Sequence, residues 1–85
     1  MKLIIREIYG ECPVQGEGTI DGVEFYFRAR HNRWSLTIGD WSLPNGEWFY
    51  AESYGSIPHE AGYMTEDEAR AFIQKAAKIY VRETK

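Results

Sequence analysis

Tyr26, Arg28 and Arg30 alternate along the segment VEFYFRAR, and Arg33 lies just past the polar pair His31-Asn32. In an extended chain that spacing puts all the first three side chains on one face. A guanidinium presents a fixed fork of donors to phosphate oxygens, and an aromatic ring gives a base a surface to stack on. Together they are the chemistry that holds single-stranded nucleic acid on a sheet. The competing expectation is that these residues are solvated and make cross-strand pairs with Glu17 and Glu24. Overall charge weighs on that side, with 10 Lys/Arg against 13 Asp/Glu, a net charge of −3 and a pI near 5.3. Nucleic-acid binders usually carry a basic domain, so direct binding through Tyr26, Arg28, Arg30 and Arg33 is the alternative reading and not the leading one.

The second constellation is acidic. Residues 34–69 carry seven acids, Asp40 through Glu68, and no Lys or Arg, whereas residues 70–85 carry five bases and one acid. Trp41, Trp48, Tyr50, Tyr54 and Tyr63 are interleaved with those acids. A carboxylate-rich stretch is often only a solvated face. Aromatics beyond what one small core absorbs act instead as interface anchors, and a negative surface with such anchors suits a basic partner. The expected partner-binding residues are Asp40, Trp41, Glu47, Glu52, Tyr54 and Glu60.

Catalysis finds less support. A nucleophile would have to be Cys12 with His31 or His59 as its base, and no local motif joins them. Gly16-Glu17-Gly18 lacks the later glycine and the following helix of a phosphate loop. No Cys or His pair has metal-ligand spacing, so neither a metal nor another cofactor is expected, and the protein reads as non-enzymatic. Cys12 is the single cysteine, which excludes an internal disulfide and favours a reducing compartment. No apolar run approaches the roughly 20 residues of a membrane span. Charges at Lys2, Arg6 and Glu7 interrupt any signal peptide, so a cytoplasmic location is expected.

The elements that must position these groups are legible. Leu3, Ile4, Ile5 and Ile8 mark a strand over 2–9, and Gly10 to Gly16, with Pro13 inside, breaks it. Strands over 14–20 and 23–30 flank Asp21-Gly22, the dipeptide of a type I′ hairpin turn. Trp34, Leu36 and Ile38 alternate in a strand over 34–38. Leu43-Pro44-Asn45-Gly46 is a turn signal, and EWFYAE gives a fifth strand over 47–52. The stretch from Ser53 to Met64 reads as a connecting loop. Thr65 and Glu68 form a capping box, and Ala69, Phe72, Ile73, Ala76, Ala77 and Tyr80 form one apolar stripe, giving a helix over 66–82. The expected fold is a single α+β domain over 1–85. It is a twisted antiparallel sheet of four to five strands with one C-terminal α-helix packed across one face.

The run CPVQGEGTIDGVEFYFRARHNRWSLTIG, about a third of the chain, resembles small proteins encoded by phages and prophages. Among these, compact acidic α+β anti-CRISPR inhibitors of type I systems are similar in size and charge, although they share no motif with this chain. The resemblance implies a non-enzymatic phage or mobile-element protein acting in the host cytoplasm. It would bind a host protein with a basic surface, a CRISPR effector complex, and block DNA access to that surveillance complex. The resemblance transfers no functional residue and implies no oligomeric state.

Overall fold

The computed structural model describes residues 1–39, 46–55 and 60–84, with Glu60 described by its backbone alone. Five strands, β1 (Leu3–Tyr9), β2 (Val14–Ile20), β3 (Val23–Arg30), β4 (Arg33–Ile38) and β5 (Trp48–Ser53), form one antiparallel sheet in chain order. A 3-10 turn at Glu60–Tyr63 and one helix, α1 (Glu66–Thr84), complete an α+β fold. Every strand pairs with its sequence neighbour, the commonest arrangement of consecutive strands. Among the described residues no helix is long and apolar enough to cross a membrane.

Local chemistry sets the corners. Asp21 and Gly22 both hold positive φ, at 50° and 82°, which the mirror-image hairpin turn requires. The β3–β4 turn needs one positive φ, taken by His31 at 60°. At the start of α1, the Glu68 backbone N–H donates to Thr65 Oγ1 at 3.1 Å and the Thr65 N–H donates to Glu68 Oε1 at 3.0 Å. The box satisfies donors that the first helical turn leaves without partners.

The period of two sorts the sheet into two faces. Phe25, Phe27, Trp34, Leu36 and Ile38 are buried, together with Ile73, Ala76 and Ala77 of α1. The Trp34 and Phe72 rings stack at 5.0 Å, and Trp48 meets Tyr80 edge-on at 5.3 Å, so α1 crosses this face. Among the described residues no helix lies on the opposite face.

The stretch expected to be a plain loop contributes more. Ala61, in the 3-10 turn, is buried; its N–H donates to the His31 carbonyl, and the Cys12 N–H donates to the Gly62 carbonyl. That short turn ties the β1–β2 connection to the β3–β4 turn. The turn expected at Leu43-Pro44-Asn45 lies outside the described residues.

Two glycines in β2 are placed by packing rather than by backbone conformation. A Cβ on Gly18 would fall on the Ile4 carbonyl oxygen and 2.7 Å from Phe25 Cε2, whereas one on Gly16 would sit 3.3 Å from Ile73 Cδ1. A backbone carbonyl in a sheet ladder cannot give way as a side-chain methyl can. Gly18→Ala is therefore expected to cost about 3 kcal/mol and Gly16→Ala about 1 kcal/mol or less. Urea denaturation of the two variants checks the order, and equal midpoints would contradict it.

Candidate nucleic-acid interface

The uncovered face of the sheet is built from alternate residues of all five strands. Register fixes its rows. Glu17, Tyr26, Thr37 and Phe49 lie side by side across β2 to β5, and Gln15, Arg28, Ser35 and Ala51 form the adjacent row. One step further, at the end of the β3–β4 hairpin, Arg30 is directly opposite Arg33, which in turn faces Ser53. Neighbouring strands are about 4.8 Å apart and same-face residues about 7 Å apart along a strand, so these groups occupy one small continuous surface. Phe49 is 40% exposed there. Tyr26 is half-buried, and its hydroxyl donates to Gln15 Oε1 at 2.8 Å. Burial raises the Tyr26 phenol pKa, against the opposing pull of the Arg28 charge.

Two acids of this face, Glu17 and Glu24, are engaged from β1, while Glu7, opposite Glu17, is exposed. Register shifts between Ile5 and Glu7, a β-bulge that inserts Arg6. Arg6 then reaches Glu24 with both guanidinium ends, at 2.8 and 3.2 Å, and stands 3.9 Å from Glu17. Glu17 also accepts from the Tyr9 hydroxyl at 2.8 Å. That hydrogen bond, ahead of burial, pushes the Tyr9 phenol up to about 12. Arg6, not Arg28 or Arg30, is thus the partner of Glu24 and Glu17. Among the described residues no side-chain hydrogen bond or ion pair engages Arg28, Arg30 or Arg33, and all three are exposed. The sheet face is divided into an acidic half, where Arg6 stands among Glu17, Glu24 and Glu7, and a cationic half around the β3–β4 hairpin. The expected pairing of the arginines with Glu17 and Glu24 is therefore replaced by one made from β1. Two arginines directly opposed across strands repel each other, so the native fold carries this arrangement at some cost.

The acidic candidates do not come together among the described residues. Asp40 and Trp41 lie outside them, and of Glu60 only the backbone is described. Glu47 is exposed just before β5, while Glu52, near the far end of β5, sits opposite Trp34 and so belongs to the helix-covered face. There Lys75 Nζ lies 2.7 Å from its carboxylate, and the Tyr50 hydroxyl donates to it. Tyr54 is half-buried, donating its backbone N–H to the Asn32 carbonyl and its hydroxyl to Glu68 at 2.6 Å. Glu66 is paired within the helix to Arg70 at 3.2 Å. Trp48 and Tyr50, counted among the interleaved aromatics, are half-buried against α1, and Trp48 Nε1 donates to Glu83 at 3.0 Å. Tyr63 is 66% exposed.

These pairings make stability depend on pH. The Lys75 hydrogen bond, and then that of Tyr50, hold the Glu52 carboxyl below its ordinary value of 4.5. Tyr54, and then the Thr65 backbone, do the same for Glu68. A carboxylate whose folded-state pKa is depressed contributes stability above its unfolded pKa and loses it as pH falls through the folded value. Unfolding free energy is therefore expected to fall as pH drops from about 6 to about 3, with a shallower slope in Glu52→Gln. Urea denaturation across that range checks the slope; parallel acid limbs in the two proteins would contradict the assignment to Glu52.

Cys12 is exposed at the β1–β2 connection, and hydrogen bonding to it raises the Tyr63 phenol pKa. His59 lies outside the described residues. Among the described residues no group of three or more His, Cys, Asp or Glu side chains is placed to hold a metal ion. No protein-family model matches the chain, and neither a curated protein nor a solved structure matches it.

Proposed function

We propose that this protein is a small binding module for single-stranded nucleic acid, and that its working surface is the uncovered sheet face. The observation that carries the reading is the gathering of Arg28, Arg30 and Arg33 beside Tyr26 and Phe49, with no carboxylate among the described residues engaging the three guanidiniums. Tyr26 and Phe49 stand two strands apart in one row, a separation of about 10 Å that suits splayed bases on an extended strand. The net charge of −3 opposes long-range attraction of nucleic acid, so the reading rests on the local charge of the three arginines at the β3–β4 hairpin. The experiment is fluorescence anisotropy with a labelled single-stranded oligonucleotide at about 50 mM salt, repeated as salt is raised. Binding that weakens steeply with salt supports the reading, and no binding at low salt removes it.

A second reading keeps the acidic stretch. Of its seven acids, Glu52 and Glu66 form ion pairs with α1 bases, and Glu47 stays exposed. This supports a protein-binding role in which residues such as Glu47 contact a basic host surface. In its sharpest form the protein would be an anti-CRISPR inhibitor blocking DNA access to a type I surveillance complex. Co-purification with such a complex, and loss of its DNA capture at saturating protein, would support that role. Unchanged DNA capture would remove the blocking mechanism.

A further inference from the structure

At the hairpin end of the open face lies a cleft of about 320 Å³, bordered by Asn32, Arg33, Ala51, Glu52 and Ser53. We infer that this cleft takes a terminal phosphomonoester, so that the module prefers strands carrying an end phosphate. The inference rests on the nucleic-acid reading above and names the part of the ligand that occupies one end of that face.

Three features converge on it. The first is the donor set. The Arg33 guanidinium, the Asn32 carboxamide and the Ser53 hydroxyl border one cleft, and among the described residues no side-chain hydrogen bond engages any of them. Each can donate to a phosphate oxygen. The wall of the cleft is fixed by the Tyr54 N–H, which donates to the Asn32 carbonyl at 2.7 Å and ties the end of β5 to the β3–β4 turn. The donors are thus held on paired backbone rather than on a free loop.

The second feature is charge density. Arg33 borders the cleft, and Arg30 lies directly across from it on β3, so a second cation is one strand away on the open face. An internal phosphodiester carries a single negative charge, whereas a phosphomonoester carries about −1.5 to −2 at neutral pH. Two neighbouring cations are best matched by the group of higher charge, which also eases their mutual repulsion. The third is the state of the nearest acid. Glu52 borders the cleft, yet its carboxylate belongs to the helix-covered face, where Lys75 and Tyr50 hold it. The Lys75 charge offsets that of Glu52 and weakens its repulsion of a phosphate.

The test compares one single-stranded oligonucleotide in three forms, with a 5′-phosphate, with a 3′-phosphate and with hydroxyls at both ends, by anisotropy competition. Inorganic phosphate alone is a further competitor. The expected result is about tenfold tighter binding of one phosphorylated form than of the unphosphorylated strand at neutral pH, from charge-assisted hydrogen bonds made only by the monoester. Whichever end is preferred sets the polarity of the strand on the sheet. The ratio should collapse towards one in Arg33→Ala and in Ser53→Ala, and should shrink below about pH 6, where the phosphate takes up its second proton. Equal affinities for all three forms, with salt-dependent binding retained, would overturn the end preference and leave the nucleic-acid reading standing. Absence of binding to every form would overturn both. Displacement by inorganic phosphate with no preference between strand ends would overturn the strand-end assignment, reducing the cleft to a site for free phosphate.

Discussion

Trp34→Ala is expected to lower the unfolding free energy by about 3–5 kcal/mol, a large part of what a domain of this size possesses. Trp34 has no exposed surface and stands where sheet and helix meet. Its indole stacks on Phe72 at 5.0 Å and packs against Phe27 at 5.7 Å and Tyr50 at 5.8 Å. Truncation would remove the ring against which β3, β5 and α1 all pack, and the paired strands beneath it cannot collapse into the space. The same residue offers a control. Its Nε1 is buried with no hydrogen-bond partner among the described residues, and a buried donor without a partner costs about 1–3 kcal/mol. Trp34→Phe keeps an aromatic ring against Phe72 and removes that donor, so it should be clearly milder than alanine. Thermal and urea denaturation of the two variants check the pair. Equal losses would mean that ring packing is not what Trp34 contributes.

Arg28→Ala, Arg30→Ala and Arg33→Ala together should abolish salt-sensitive oligonucleotide binding while leaving the fold intact. If the three guanidiniums neutralise three phosphates of a single strand, the logarithm of affinity falls with the logarithm of salt at a slope of roughly −2. Raising salt fourfold would then weaken the native protein about 20-fold. In the triple variant that dependence should vanish together with most of the affinity. The substitutions fall on exposed side chains that no hydrogen bond or ion pair among the described residues engages, and they remove the repulsion between Arg30 and Arg33. Stability is therefore expected to hold steady or rise slightly. A variant that still binds with the native salt slope would place the interface elsewhere.

Much of this architecture can be read in the chain, and the reasons are particular. Alternation from Val23 to Ile38 defines which side chains enter the core, because each strand has one covered face. Asp21-Gly22 specifies its turn through two positive φ values, and Thr65 with Glu68 marks the start of α1 through a reciprocal pair of hydrogen bonds. What alternation does not carry is the bulge at Arg6. One extra residue in β1 places that guanidinium over Glu24, and this releases the arginines of β3 from the pairing that cross-strand reasoning expects. Glu52 is misread for a related reason. Composition counts it in a negative block, but its face of β5 turns it towards Lys75, twenty-three positions further on. Ala61 and Gly62 lie in a stretch with few branched residues and no regular period, so nothing local announces that they pack against the two hairpin ends. The size of Gly18 is likewise a consequence of the Ile4 carbonyl, a contact that exists only once β1 and β2 are in register.

A backbone and aromatic side-chain NMR titration with a single-stranded oligonucleotide tests the central claim most directly, because it reports each face of the sheet separately. The account predicts shifts concentrated at Tyr26, Arg28, Arg30, Arg33, Phe49 and Ser53, with the exposed face of α1 unmoved. Shifts confined to α1 and to the acids around Glu47, or no shifts at all at low salt, would contradict it.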